Sequence, residues 1–382
     1  MISVLLKEMG DISTIIMGTS PPGSTYNVEQ IGMPLLNGPT EFGQHHPNCT
    51  LFTTDSKREC EKGDIIFCVR GSTTGRINWA DKKYSLGRGV CCIRGKTDPD
   101  TKYIKYCIDH YLPALLQIAG GATTFPNLRK DDIHKFKIPY PESRHKIAAI
   151  LSAYDDLIEN NTRRIKILEE MAQALYREWF VEFRFPGHED VAMVDAGDGR
   201  MVPEGWDLVK LGDKIELAYG KALRAAERKN GDYPVYGSSG VIGWHDVALA
   251  QGPGIIVGRK GNVGSVYWSD IDFHAIDTVY YVKTELPLHY VYFNLQHQNF
   301  IDNDAAVPGL NRNQAYSLPL LIPEESILGK FGKMMPDLFA INRVIEQKNA
   351  NLKQTRDLLL PRLIEGEIDV ADLEINVNER NF

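Results

Sequence analysis

Two short runs in this 382-residue chain hold the residue types that bind phosphates and the edges of nucleobases. The first is Arg70-Gly71-Ser72-Thr73-Thr74-Gly75-Arg76. The second is Arg259-Lys260-Gly261-Asn262-Val263-Gly264-Ser265. Glycine lets a backbone approach a phosphate closely, while Arg, Lys, Asn, Ser and Thr side chains bond phosphate oxygens and base edges. The candidates are Arg70, Ser72, Thr73, Thr74 and Arg76 in the first run, and Arg259, Lys260 and Asn262 in the second. The competing reading of each run is a plain hairpin turn at a sheet edge; recurrence favours contact. A further polar cluster follows each run: Thr123, Thr124, Asn127, Arg129 and Lys130, then Asn311, Arg312 and Asn313. Solvated loops are the alternative there. Lys221, Arg224, Arg228 and Lys229, offset only by Glu227, form either a phosphate-positioning patch or an exposed helix face.

A search for catalytic machinery returns little. No G-x-G-x-x-G opens a helix after a strand, and no G-x-x-x-x-G-K-[ST] loop, G-x-S-x-G elbow or zinc-protease motif occurs. Gly252-Pro253-Gly254 leads into a strand-like run instead of a helix. Ser20-Pro21-Pro22-Gly23 faintly resembles an amino-methyltransferase loop but lacks the amide or acid and the aromatic that hold a flipped base. His45, His46, Cys49 and Cys60 could supply four zinc ligands, yet lack the paired C-x-x-C spacing of a zinc site; a polar loop with incidental thiols is the other reading. The expectation is a chain with no catalytic residue and no metal.

The elements that would position these residues come in duplicate. Met9-Gly10-Asp11-Ile12 is echoed by Leu211-Gly212-Asp213, and Ile65-Ile66 before Gly71 by Ile255-Ile256 before Gly261. Phe125-Pro126-Asn127-Leu128 is echoed by Val307-Pro308-Gly309-Leu310. Pro141 and Pro323 each stand fifteen residues beyond, and a long helical pattern follows both. Residues 1–141 and 205–323 therefore read as two related α/β units, with strand-like runs at 65–69, 90–93, 254–257, 263–268 and 278–282 and a helix over 103–118. Two related units imply pseudo-twofold symmetry and two related surfaces.

The stretch 142–185 carries an unbroken 4,3 spacing: Ile147, Leu151, Tyr154, Ile158, Asn161, Ile165, Leu168, Ala172, Leu175 and Trp179. Such spacing over more than four heptads predicts a coiled-coil helix of roughly 60 Å, at about 1.5 Å per residue. An amphipathic helix on a globular core is the alternative. Asn161 on the seam reads either as a register-fixing residue or as a solvated irregularity. Residues 186–204 read as a linker. From 324 to 366 the pattern returns, with Leu338, Ile345, Leu352, Leu359 and Leu363 on one stripe and Asn342, Asn349 and Arg356 interleaved. This more polar seam suits the first as an antiparallel partner. Pro361 should kink or end the second helix, and the tail 367–382 should fray.

Composition is that of a soluble globular protein: 43% hydrophobic and 24% charged, with no apolar run near the roughly 18 residues of a membrane span. The acidic residue close to Met1 argues against a signal peptide, and the six cysteines read as reduced thiols in a cytoplasmic chain. With 43 basic and 50 acidic residues the net charge is −7, which counts against a solitary nucleic-acid binder.

At the helices the pattern becomes specific. KIPYPESRHKIAAILSAYDDLIENNTRRIKILEEMAQALYREWFVEF (137–183) and LLLPRLIEGEIDV (358–370) resemble the two helices of the specificity subunit of type I restriction–modification enzymes, and GATTFPNLRKDDI (121–133) is similar to the end of its target-recognition domains. The resemblance covers nearly the whole chain in the order recognition domain, helix, recognition domain, helix. It implies an α+β fold in which two target-recognition domains are separated by two long antiparallel coiled-coil helices. It also implies a non-catalytic DNA-binding chain of a phage-defence system. Each domain would read half of a bipartite double-stranded DNA target, and the coiled coil would set the spacing. Two methyltransferase subunits bringing S-adenosylmethionine, and motor-nuclease restriction subunits, would dock on it. Ile65 to Pro126 is 61 residues and Ile255 to Pro308 is 53, so extra loops, and hence an asymmetric target, are expected. The alternatives are a self-contained DNA methyltransferase or nuclease, which lacks its cofactor loop, and a coiled-coil protein adaptor, which leaves the basic turns idle.

Overall fold

A computed structural model of the chain describes residues 5–118, 126–300 and 309–375; Thr123, Thr124, Phe125, Val307 and Pro308 lie outside them. The chain divides into two compact units, Met1–Asn160 with Asn349–Phe382, and Asn161–Lys348.

The first unit is built on a four-stranded antiparallel sheet of β1 (Ser13–Met17), β2 (Ile65–Cys68), β3 (Ile77–Trp79) and β4 (Val90–Gly95), in the order β1-β4-β2-β3. Cys92 stands opposite Ile16 on one side and Ile66 on the other. Side chains alternate faces along a strand, and here both faces are covered. Ile65, Phe67, Cys91 and Ile93 enter one core, and Ile66, Cys68, Val90 and Cys92 enter a second. That is why these strands read as continuous apolar runs and not as an alternation. The first core is closed by α1 (Asp98–Ile118) through Tyr103, Ile104, Cys107, Ile108 and Leu115. The second lies under a five-stranded sheet that includes Met33–Leu36 and Tyr84–Leu86. Leu6–Glu8 pairs with Lys137–Pro139, returning the chain to its start before α2 (Arg144–Phe180).

The second unit repeats this plan. Strands β5 (Ile215–Tyr219), β6 (Gly254–Gly258), β7 (Val266–Ser269) and β8 (Val279–Thr284) form a sheet in the order β5-β8-β6-β7, the same as in the first unit. Asp207–Lys210 pairs with Pro319–Ile322 just as the ends of the first unit pair. Helix α3 (Leu288–His297) precedes α4 (Glu325–Ile364). The length difference between the units is not where the anchor count located it. Between the equivalent turns and prolines it falls largely on the helix, 21 residues in α1 against 10 in α3. A larger difference lies between β1 and β2, where the first unit builds four of the five strands of its second sheet and the second unit builds two of three.

Helices α2 and α4 pack against each other in both units, and in the first they are antiparallel. In the first unit Asp155 meets Arg356 and Ile158 meets Asn349, so positions rise along one helix as they fall along the other. In the second, Trp179 and Phe180 meet Phe331. All ten seam positions of α2, and Leu338, Asn342, Ile345, Asn349, Leu352, Arg356, Leu359 and Leu363 of α4, are buried or half-buried. Three expectations are corrected. Helix α4 is not ended at Pro361: it runs on to Ile364, giving up the one bond that the Pro361 nitrogen cannot donate, and the Pro361 carbonyl still accepts from the Glu365 amide. The tail does not fray at its start, since Val370 is 1% exposed and joins the first unit's core. Residues 186–204 are not a bare linker: Met193–Asp195 pairs with Met201–Pro203, and Val202 is buried.

Candidate nucleic-acid interface

Both glycine runs are the turns of the edge hairpins, β2–β3 in the first unit and β6–β7 in the second. Gly71, Gly75, Gly261 and Gly264 take positive φ values of 93°, 99°, 79° and 74°, which side-chain-bearing residues rarely adopt. The glycines serve the turn, and the amides of three of them, Gly71, Gly75 and Gly264, are spent within the structure. The amides of Gly71, Thr74, Gly75 and Arg76 already bond Pro126, Gly71, Cys68 and Thr73 carbonyls, and those of Val263, Gly264 and Ser265 are likewise committed. Most amides of the two runs are thus committed to the turns, and the exposed side chains are the main groups offered for contact.

The polar loop before each long helix is laid against its turn. In the first unit Arg70 bridges Asn127, and the Leu128 amide donates to the Val69 carbonyl at 2.9 Å. Lys260 bridges Gly309 in the second unit, and the Leu310 amide donates to the Arg259 carbonyl at 2.8 Å. Leu128 and Leu310 are buried and pin the loops. Two clusters read separately from the sequence are thus one site, formed twice.

The candidates divide once they are placed. Arg70, Ser72, Arg76, Asn127, Lys130, Lys221, Arg224, Lys260, Asn262 and Asn313 are exposed, and Thr73 is half-buried beside the Cys68 thiol. Arg70 Nε donates to Asn127 Oδ1 at 3.4 Å. Thr74 is buried and its hydroxyl donates to the Gly71 and Pro126 carbonyls, so it holds the turn and presents nothing. Asn311 Oδ1 caps the Asn313 and Gln314 amides. Arg129 is paired with Asp132 at 3.2 Å, which offsets its charge. The third cluster is no helix face, as only Ala225–Glu227 turns. Arg228 is half-buried and donates to the Ile242 carbonyl at 2.7 Å.

Tyr219 escaped the sequence reading. It ends β5, is 49% exposed, and has the guanidinium carbons of Arg259 and Arg312 each 5.0 Å from its ring centroid. The only clue was its place just before Gly220-Lys221.

Among the described residues no group of three or more His, Cys, Asp or Glu is placed to hold a metal. His46 Nδ1 lies 3.0 Å from the Trp79 carbonyl, and burial pushes the Cys49 and Cys60 thiols up to about 12. All six cysteines are unpaired with one another. No helix among the described residues is long and apolar enough to cross a membrane.

A duplicated α+β reader carrying side-chain donors on paired turns and loops is the class that fold and site define. The family model described as type I restriction modification DNA specificity domain matches residues 4–170 and 203–354, so the chain belongs to that family and carries two such domains. It is 27% identical over 357 residues to the type I restriction enzyme MjaIX specificity subunit of Methanocaldococcus jannaschii, covering 84% of this chain and 82% of that one. It is 37% identical over 159 residues to the putative MjaX specificity subunit of the same organism, 41% of this chain and 37% of the relative. The HindI specificity subunit of Haemophilus influenzae is 22% identical over 82% of this chain and 88% of its own length. Among solved structures, the S subunit of a type I restriction–modification system from M. genitalium shares the fold, with a TM-score of 0.63 at 18% identity over 95% of this chain and 97% of that one.

Proposed function

We propose that this chain is the DNA-reading subunit of a type I restriction–modification complex. It is non-catalytic, and each unit reads one half of an asymmetric bipartite duplex target through its turn-and-loop site. The observation that carries this reading is the recurrence of that site, bridged by the same backbone contacts in both units. The long helices α2 and α4 link the readers and set the gap between half-sites. Asymmetry is supported by side chains and by the second sheets, five strands against three, and not by loop length between the anchors. The net charge of −7 fits a subunit whose partners supply part of the phosphate contact. Those partners are two methyltransferase subunits, which bring S-adenosylmethionine and methylate adenines, and the restriction subunits that cut unmodified DNA.

The test is to map methylated adenines in DNA exposed to the assembled complex. Two modified adenines are expected, one in each half of a split sequence, and none when this chain is omitted. Methyl transfer by the purified chain alone would replace this reading with a self-contained enzyme. Modification with no salt-dependent footprint attributable to this chain would leave it a protein adaptor.

A further inference from the structure

Arginines in this chain are commonly held by carboxylates, as in Arg94 with Asp64, Arg144 with Asp100, Arg184 with Glu178 and Arg356 with Asp155. Arg259 and Arg312 are held differently. Neither forms an ion pair among the described residues. Arg259 Nη1 donates to the Asp277 carbonyl at 3.0 Å, and its guanidinium lies over Tyr219 at 5.0 Å and Tyr280 at 5.7 Å. Arg312 lies over Tyr219 at 5.0 Å and Tyr316 at 5.8 Å. Ring faces attract guanidinium groups without neutralising them and restrict their rotamers. Since both lie 5.0 Å from one centroid, the two positive groups are at most about 10 Å apart.

Among its described residues the first unit has no such arrangement. Strand register and the bridged turns make Met17, Val69 and Lys130 the counterparts of Tyr219, Arg259 and Arg312. Its own arginine in the loop, Arg129, is offset by Asp132.

We propose that Arg259 and Arg312, oriented by the Tyr219 ring that both contact, form a preorganised clamp for the phosphates of one DNA strand, and that this clamp belongs to the second half-site alone. The inference rests on the functional reading above and adds a division of labour to it. The clamp contributes sequence-independent, salt-sensitive affinity, and discrimination comes from other side chains. Tyr219 is a positioning residue. Its ring holds two like charges close without the carboxylate that would cancel them.

The experiment measures DNA binding by the assembled complex across a salt series and maps the adenines it methylates. Each phosphate contact adds about −0.9 to the slope of log affinity against log salt. Arg259→Ala and Arg312→Ala are each expected to make the slope shallower by about one, and to weaken binding by a similar factor on matched and mismatched targets. The methylated sequence should stay the same. Tyr219→Ala should weaken binding about five- to tenfold, and Tyr219→Phe, which keeps the ring, should restore it. A thermal melt of each variant identifies those that fail to fold, and Tyr219→Phe keeps the test valid if Tyr219→Ala is one of them. An unchanged slope with a changed base preference in one half would make the pair a base reader and overturn the clamp. Unchanged affinity in both arginine variants would overturn it equally. If the unaltered complex showed no salt-dependent binding, the functional reading would fall and the clamp with it, whereas loss of the clamp alone leaves the unaltered complex binding with its salt dependence.

Discussion

Asp100 concentrates the polar contacts that seat α2 in the first unit. It is 2% exposed, and its Oδ1 accepts from Arg144 Nε at 2.7 Å, His145 Nε2 at 2.8 Å and the Tyr140 hydroxyl at 2.9 Å; Thr97 donates to Oδ2 at 2.9 Å. Burial alone would raise its pKa, but the bonds from Arg144, His145, Thr97 and Tyr140 outweigh it and hold the carboxyl well below the usual carboxylate range. A folded-state pKa below the unfolded value stabilises the native state above that unfolded value, here 3.8, and the stabilisation is lost as pH falls through and beneath it. Asp100→Ala should therefore cost about 3 kcal/mol near neutral pH, since it strands Arg144 without its buried partner. Urea melts of the variant and the parent should show that gap shrinking below about pH 4; a gap that widens in acid would refute the assignment. At this scale the sequence was only partly legible. Arg70, Lys260 and Arg259 could be singled out because residue type and recurrence mark them. Thr74 was misjudged because its hydroxyl is taken by the Pro126 carbonyl, 52 residues away. Tyr219 was missed because its role depends on two arginines at 40 and 93 residues' distance, which no local pattern encodes.

The helices were the most legible elements, because a 3.5-residue repeat is visible without knowing the partner. Every seam position read from α2 is buried or half-buried. Strand order was not legible: β1 and β2, neighbours of β4, are separated by 47 residues of intervening chain, and short strands of 3–6 residues carry no pairing code. Two polar members of the α4 stripe, Arg356 and Asn349, have partners across the seam, whereas the buried Asn342 Oδ1 accepts no hydrogen bond. Arg356 Nη1 donates to Asp155 Oδ1 at 2.6 Å, the Tyr106 hydroxyl donates to Asp155 Oδ2, and the buried Asn349 donates to the Ile158 carbonyl at 3.4 Å. Such groups fix the relative register of two helices, because a slip would strand them without partners. A matched insertion that keeps the heptad phase should therefore be tolerated. Seven residues added between Asn160 and Asn161 and seven between Lys348 and Asn349 lengthen each helix by about 11 Å, and should widen the gap between the two methylated halves by up to about three base pairs. Mapping the modified adenines reads this directly; an unchanged gap would mean the helices do not set the spacing.

Across the whole molecule, duplication and difference do separate jobs. Each unit closes its own cores on its own four-stranded sheet, and the cores that hold β1, β2 and β4 share no residue with those that hold β5, β6 and β8. Recognition should therefore be modular. What a unit must keep is its seat on the helices: in the first, Asp100 against Arg144 and His145, and the apolar contacts with Ile147, Leu151, Leu363, Ile364 and Val370. What it can vary is the turn, the loop beside it and the second sheet. Replacing residues 1–141 by the equivalent stretch of a relative, with Asp100 and the helix-facing apolar positions retained, should change one half of the methylated sequence and leave the other half and the gap untouched. The unchanged half should also keep its salt sensitivity, since Tyr219, Arg259 and Arg312 all remain. Methylation mapping on random-sequence DNA decides the matter. A swap that rewrote both halves would mean the two readers are energetically coupled, and one that rewrote neither would place recognition outside residues 1–141.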